Sequence, residues 1–265
     1  MSQCPVILVH GWNSHPGIWK KLMVHLDAAK IAYYRFDHSL LKNCSIPEIS
    51  RNLHAYIEGI CHENDYSGPF DIVCHSLGTS IVRYLLEVVD GPGQELSVRQ
   101  VIGIGPLNTG SALAELFNDP KHRDTIISAL TGVFVQDDFD PASDKIIQDV
   151  RPGSKVMRDL RSAGLRQDIS YRVIVTSNPE ALPDFFPLFQ GKTWELSDDG
   201  RYQVTLDGDG IVSNRESQLP GVSLDIIPAS PGADENLLSL DQYCHICMPK
   251  NPLVIERIMQ YLTDQ

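Results

Sequence analysis

The chain has 265 residues, of which 42% are hydrophobic and 21% charged. That profile fits a globular protein long enough for one large α/β domain with a sizeable core. A formal net charge of -12 argues against a nucleic-acid phosphate backbone as partner, because that partner calls for clustered lysine and arginine.

In chain order, the first apolar run, 6–9, is too short for a signal-peptide core and no basic segment precedes it. No later stretch reaches the length of a membrane span. The expected location is cytoplasmic, with a secreted mature form left open. Short runs rich in β-branched residues predict strands at 6–9, 32–36, 70–74, 98–104, 171–176 and 223–227. None alternates cleanly between apolar and polar residues, as suits strands buried on both faces of a parallel sheet. Between them, Ile18, Leu22, Leu26 and Ala29 share one face of a helix over 18–29. Ile49, Leu53, Tyr56 and Ile60 do the same over 47–61, where Pro47 suits a first helical position. Further helices are expected over 77–89 and 252–262. The alternation predicts an α/β fold with a mostly parallel sheet of about six strands flanked by helices.

Two excursions interrupt the pattern. Some sixty residues separate the strand ending near Gly105 from the one starting near Tyr171. They carry helix-compatible pieces at 112–117, 125–130, 144–150 and 154–162 and an acidic turn at 137–141. We read 111–165 as a helical cap or lid inserted into one domain spanning 1–265, since an insertion of that size is usually functional. The second excursion, 177–208, carries Phe185, Phe186, Leu188 and Phe189 and a hairpin around Asp198-Asp199-Gly200.

Most of the chemical signal lies in Phe70-Asp71-Ile72-Val73-Cys74-His75-Ser76-Leu77-Gly78-Thr79-Ser80. A buried strand runs straight into Ser76 and a helix starts straight after it. Such a turn is tight and strained, so it needs small residues two before and two after the serine, here Cys74 and Gly78. It lifts the hydroxyl clear of the sheet and aims the first N–H groups of the helix at the same spot. The competing reading is a chance His-Ser-Leu-Gly tetrapeptide, and the strand–helix context disfavours it.

Pro5-Val6-Ile7-Leu8-Val9-His10-Gly11-Trp12 resembles the first strand and oxyanion loop of microbial lipases and esterases of the α/β-hydrolase superfamily. Cys74-His75-Ser76-Leu77-Gly78 resembles their nucleophile elbow, with Cys74 in place of the usual first glycine. The resemblance implies that Ser76 is the nucleophile and that the backbone N–H groups of Leu77 and Trp12 hold the oxyanion, with Gly11 allowing close approach. It also implies the chain order serine, acid, histidine. Of nine histidines, only His122 and His245 follow the elbow. His122 sits among charged residues and reads as a solvated side chain; His245 lies in the loop before the last helix, where the family carries its base. Thr205-Leu206-Asp207-Gly208-Asp209-Gly210-Ile211-Val212 resembles the stretch carrying the acid, and the alignment selects Asp209. Asp207 reads as a turn residue or a ligand of a loop-stabilising cation, but the remaining ligand spacing is missing and no metal is expected. His10 and His75 read as structural.

Other patterns carry less. Cys244-His245-Ile246-Cys247 lacks the second pair of a zinc site, so its thiols, like the rest of the six cysteines, read as packing in a reducing compartment. Gly103-Ile104-Gly105 is too sparse for a dinucleotide fingerprint. No cofactor is expected. Ile126, Leu130 and Phe134 are candidates to line an acyl pocket and Phe185 and Phe186 a second apolar wall; the alternative is ordinary packing of the cap and of a long loop. The expected substrate is a small-molecule or lipid ester with an apolar acyl chain, met through transient contact with a lipid interface. An acyltransferase or thioesterase using the same triad is the second reading, and a non-catalytic binding protein on the same fold is the third.

Overall fold

The structure is a computed structural model that describes residues 4–41, 43–91, 93–229 and 239–264. Strands β1 (Val6–Val9) and β2 (Tyr33–Phe36) flank helix α1 (Lys20–Ala28), which follows a 3-10 turn at Pro16–Trp19. Helix α2 (Ile46–Glu63), strand β3 (Phe70–His75), helix α3 (Leu77–Arg83) and strand β4 (Val98–Ile104) come next. Helices α4 (Ala112–Leu116), α5 (Arg123–Leu130), α6 (Lys145–Asp149) and α7 (Lys155–Ala163) separate β4 from β5 (Ser170–Ser177). Strands β6 (Thr193–Leu196) and β7 (Tyr202–Thr205), helix α8 (Asn214–Ser217), strand β8 (Leu224–Pro228) and helix α9 (Pro252–Thr263) complete the order.

Six strands form one sheet in the order β2-β1-β3-β4-β5-β8, and every neighbouring pair is parallel. Strands β1 and β3 are buried along their whole length, which explains why their sequences show no alternation. Helices α1 and α9 pack together, and α2, α3 and α7 form a second group. These layers bury Leu22, Leu26, Ile49, Leu53, Ile81 and Ile258 at 0% exposure. The expected hairpin exists as the antiparallel pair β6–β7.

Local signals set the helix ends. Ser45 caps α2 in a reciprocal capping box with Glu48, so α2 begins at Ile46 and Pro47 lies within its first turn. Asn251 caps α9, accepting from Leu253 N at 2.9 Å, and Pro252 follows it. One expectation changes. The helix expected over 77–89 is α-helical only to Arg83 and widens to a π-helix over Tyr84–Val89. An apolar pattern specifies which face is buried, not the extra residue per turn, so this widening was not readable. No helix among the described residues is long and apolar enough to cross a membrane.

Candidate active site

The sheet brings three loops together at the C-terminal ends of its strands. Ser76 joins β3 to α3 with φ 54 and ψ -125, a conformation that costs energy for any residue with a side chain. The elbow tolerates it because its neighbours fit. A Cβ on Gly78 would sit 2.6 Å from the carbonyl oxygens of Val9 and His10, so only glycine lets α3 approach β1 this closely. Cys74 is fully buried; its sulfur accepts from Thr79 Oγ1 at 3.3 Å and donates to the Ile102 carbonyl at 3.5 Å. The thiol therefore fills the place of the usual glycine without blocking the turn. Burial pushes its pKa up to about 12, so it stays protonated.

His245 Nε2 stands 2.8 Å from Ser76 Oγ, and His245 Nδ1 stands 2.7 Å from Asp209 Oδ2. The other carboxylate oxygen of Asp209 accepts from Ile211 N at 3.0 Å and Val212 N at 2.7 Å. The backbone N–H of His245 donates to the Asp209 carbonyl at 2.9 Å, so the two loops are also tied through their main chains. All three side chains are buried; Ser76 is only 6% exposed. Asp207, by contrast, is exposed and takes part in the turn after β7. His122 pairs with Asp119 at 3.3 Å and packs on Trp194 and Tyr202. Among the described residues no group of histidine, cysteine and carboxylate side chains could hold a metal ion.

No family model and no curated protein matches this chain. Solved structures do. The mature lipase of Bacillus licheniformis is similar over 99% of this chain and 93% of its own, with a TM-score of 0.67 at 15% identity. An α/β hydrolase fold protein of Burkholderia ambifaria is similar over 99% of this chain and 91% of its own, with a TM-score of 0.51 at 13% identity. This chain has the α/β-hydrolase fold. A phospholipase of Legionella pneumophila shares the fold over 98% of this chain, with a TM-score of 0.60 at 15% identity, and this chain spans 60% of that protein.

Within the α/β-hydrolase fold, the loop after β1 lies against the turn at Ser76. A Cβ on Gly11 would meet Ser76 Cβ at 3.1 Å. Neither the Trp12 nor the Leu77 N–H donates to an internal backbone acceptor among the described residues. His10 and His38 stack at 3.8 Å and brace this loop. His38 Nε2–H donates to the His10 carbonyl at 2.9 Å, and His10 Nδ1–H donates to the Gly11 carbonyl at 2.9 Å. Burial, followed by the neighbouring His10, pushes the His38 pKa down to about 4, so it is neutral at pH 7.

A cavity of about 30 Å³ opens above Ser76, room for about one water. Trp12, Leu107, Phe117, Phe134, Ile146 and Val150 are among its lining residues. Of the five apolar residues singled out in the sequence, Phe134 lines this cavity. Ile126 and Leu130 are buried within the layer that α5 contributes, and Phe185 and Phe186 are buried under the loop after β5. Phe186 packs against Gly210, next to Asp209. Trp12, like Ile146, lines both this cavity and a polar groove of about 470 Å³ that also touches His38, Asp138 and Lys145. Its ring lies against Phe134 and Phe139, both at 5.4 Å between centroids, and its Nε1–H donates to Asp144 at 3.2 Å.

Three further residues brace this cluster, of which the sequence marks only His75, as structural. His75 Nε2–H donates to the His245 carbonyl at 3.0 Å, and burial holds His75 neutral with its pKa well below the usual range. Glu216 accepts from Ser213 N at 2.7 Å and from Ala112 N, clasping the loop that carries Asp209 to the segment after β4. Gly105, at φ +51, leaves space for the Asp209–His245 pair, since a Cβ there would lie 2.7 Å from Asp209 Oδ2.

Proposed function

We propose that the protein is a serine carboxylic-ester hydrolase that acts on esters with apolar acyl chains. The observation that carries this reading is the unbroken relay Asp209–His245–Ser76, with contacts of 2.7 and 2.8 Å, at a strained strand–helix turn. In the proposed reaction Asp209 accepts the Nδ1 proton of His245 as a hydrogen bond and so leaves Nε2 free to act as base. His245 takes the Ser76 proton as Oγ attacks the ester carbonyl. The N–H groups of Trp12 and Leu77 stabilise the oxyanion, each worth on the order of 10²–10³ in rate. His245 then protonates the leaving alcohol and activates the water that releases the acid. No cofactor enters this scheme.

Residues 111–165 act as a lid in this reading. They supply Leu113, Ala114, Phe117, Phe134, Ile146 and Val150 to the roof over Ser76. A cavity of about 30 Å³ holds no acyl chain, so the roof moves before substrate enters. Leu40 and Val133 are 79% and 58% exposed and adjoin residues of the groove and the cavity, which suits transient contact with a lipid interface. The test is Ser76→Ala: in a correctly folded variant, turnover of nitrophenyl esters falls to background. Retained turnover overturns the assignment. Product analysis with added alcohol or thiol acceptors separates hydrolysis from acyl transfer.

A further inference from the structure

Cys244 and Cys247 flank His245, and the hydrolytic scheme uses neither. Residues 244–247 fold as a turn in which Cys247 N–H donates to the Cys244 carbonyl at 2.9 Å. The turn brings the two side chains close enough to interact electrostatically. Cys244 is buried, whereas Cys247 is partly exposed. The neighbouring Cys244 side chain lowers the Cys247 pKa against the opposing effect of burial. That shift favours the thiolate of Cys247, the reactive form. Cys74, dry and raised to about 12, is inert by the same reasoning.

We propose that Cys244 and Cys247 form a hydroperoxide-reactive pair, and that their oxidation to a disulfide lowers the reactivity of Ser76 by displacing His245. The functional consequence rests on the ester-hydrolase reading; the dithiol chemistry does not. In the first step Cys247 thiolate attacks the peroxide, an S–O bond forms, the O–O bond breaks and the departing alkoxide takes a proton to leave as alcohol or water. In the second step Cys244 sulfur attacks the sulfenic acid. The S–S bond forms and hydroxide leaves with the Cys244 proton as water. Two thiols and one hydroperoxide thus give one disulfide, one alcohol and one water.

The coupling to His245 is geometric. A disulfide draws the two free sulfurs together to about 2.05 Å. The flanks of the turn are fixed: the Tyr243 carbonyl accepts from Thr176 Oγ1 at 2.7 Å, and Met248 is fully buried. The contraction therefore falls on His245 and Ile246. His245 is held by four hydrogen bonds, two through its ring and two through its backbone. A displacement of about 1 Å at such a group costs on the order of 10²-fold in rate.

The experiment treats fully reduced protein with hydrogen peroxide, quenches it and follows three readouts. The peptide carrying both cysteines is expected to lose two hydrogens and regain them with dithiothreitol. The downfield proton resonance of His245 Nδ1 is expected to shift in step. Nitrophenyl-ester turnover is expected to fall about 10- to 100-fold and recover on reduction. Cys247→Ser and, independently, Cys244→Ser should keep the untreated turnover and lose the peroxide response. Thiols that stay unpaired, or a disulfide that leaves the His245 resonance unchanged, would overturn the proposal. If reduced protein turns over no ester, the Ser76 reading fails, while the peptide mass and the His245 resonance still decide the dithiol proposal.

Discussion

Gly105 sits just beyond β4, at the back of the acid–base pair, and replacing it by alanine probes that pair without touching either member. Its φ of +51 lies in the left-handed region, where a Cβ costs about 1–2 kcal/mol. The new Cβ would also stand 2.7 Å from Asp209 Oδ2 and 3.1 Å from His245 Nδ1, where ordinary contact begins at 3.4 Å. The Asp209 carboxylate has to retreat by the difference, about 0.7 Å, taking the first of those distances. A hydrogen bond of 2.7 Å stretched by that amount passes beyond the usual range for N–H donors. His245 then loses the partner that fixes its tautomer. Neutralising such an acid outright costs about 10⁴ in kcat in a serine protease, so partial displacement should cost about 10²–10³. The cavity walls are untouched, and KM should stay within about threefold. Strain of about 1–2 kcal/mol lowers Tm by about 2–8 °C in a protein of this size. Steady-state hydrolysis of a short nitrophenyl ester, read beside a thermal melt, measures both. A kcat within threefold of the parent at an unchanged Tm would refute the packing argument.

Three other changes probe separate parts of the site. Phe134→Ala removes a wall of the 30 Å³ cavity; the ratio of octanoate to acetate ester turnover should rise about tenfold, since one methylene in an apolar pocket is worth about 1–3 kcal/mol, and an unchanged ratio in an acyl-length series would place the acyl site elsewhere. His38, held neutral with a pKa near 4 against 6.5 for the free side chain, gives a pH signature: the unfolded state binds the extra proton between these values, so stability is intact above about pH 6.5 and falls by up to about 3 kcal/mol as pH drops toward 4. His38→Gln should remove one proton's worth of that slope in urea titrations across pH 4–7, and an unaltered slope would rule His38 out as its source. Cys74→Gly restores the commoner elbow residue but strands the Thr79 hydroxyl, whose acceptor is the Cys74 sulfur; we expect a loss of about 1–2 kcal/mol in stability with kcat within threefold, and a kcat loss beyond tenfold would make the thiol a functional element.

What could be read from the residues follows from how local each constraint is. The central strands β1, β3 and β4 were legible because a strand buried on both faces must be a short, β-branched run between turns; the edge strands β2 and β8 were legible as short apolar runs although, contrary to expectation, they are only partly buried. Ser76 was legible because a strained elbow restricts its own neighbours, two before and two after, to small residues. His245 and Asp209 were read from the resemblance and chain order, and the structure places them 36 residues apart in sequence and 2.7 Å apart in space. The cavity was not legible. Its lining draws on the loop after β1, the elbow, the segment after β4 and the acid loop, and no periodicity links such distant segments. Ile126 and Leu130 have the apolar character of pocket residues, yet helical spacing cannot say whether an apolar face meets substrate or core; here they are buried at 4% and 0% exposure. Gly105 and Glu216 escaped notice for the same reason, and the sequence marks His75 only as structural, since each acts on a partner far away in sequence.

The central claim is that Ser76 is activated by His245. Intact-protein mass and peptide mapping after exposure to a fluorophosphonate test it most directly. The account requires a single adduct on Ser76, formed quickly in the parent and slowed by at least about 10²-fold in a folded His245→Ala variant. A folded parent that takes up no label, takes it up at another serine, or labels Ser76 equally well without His245 would contradict it.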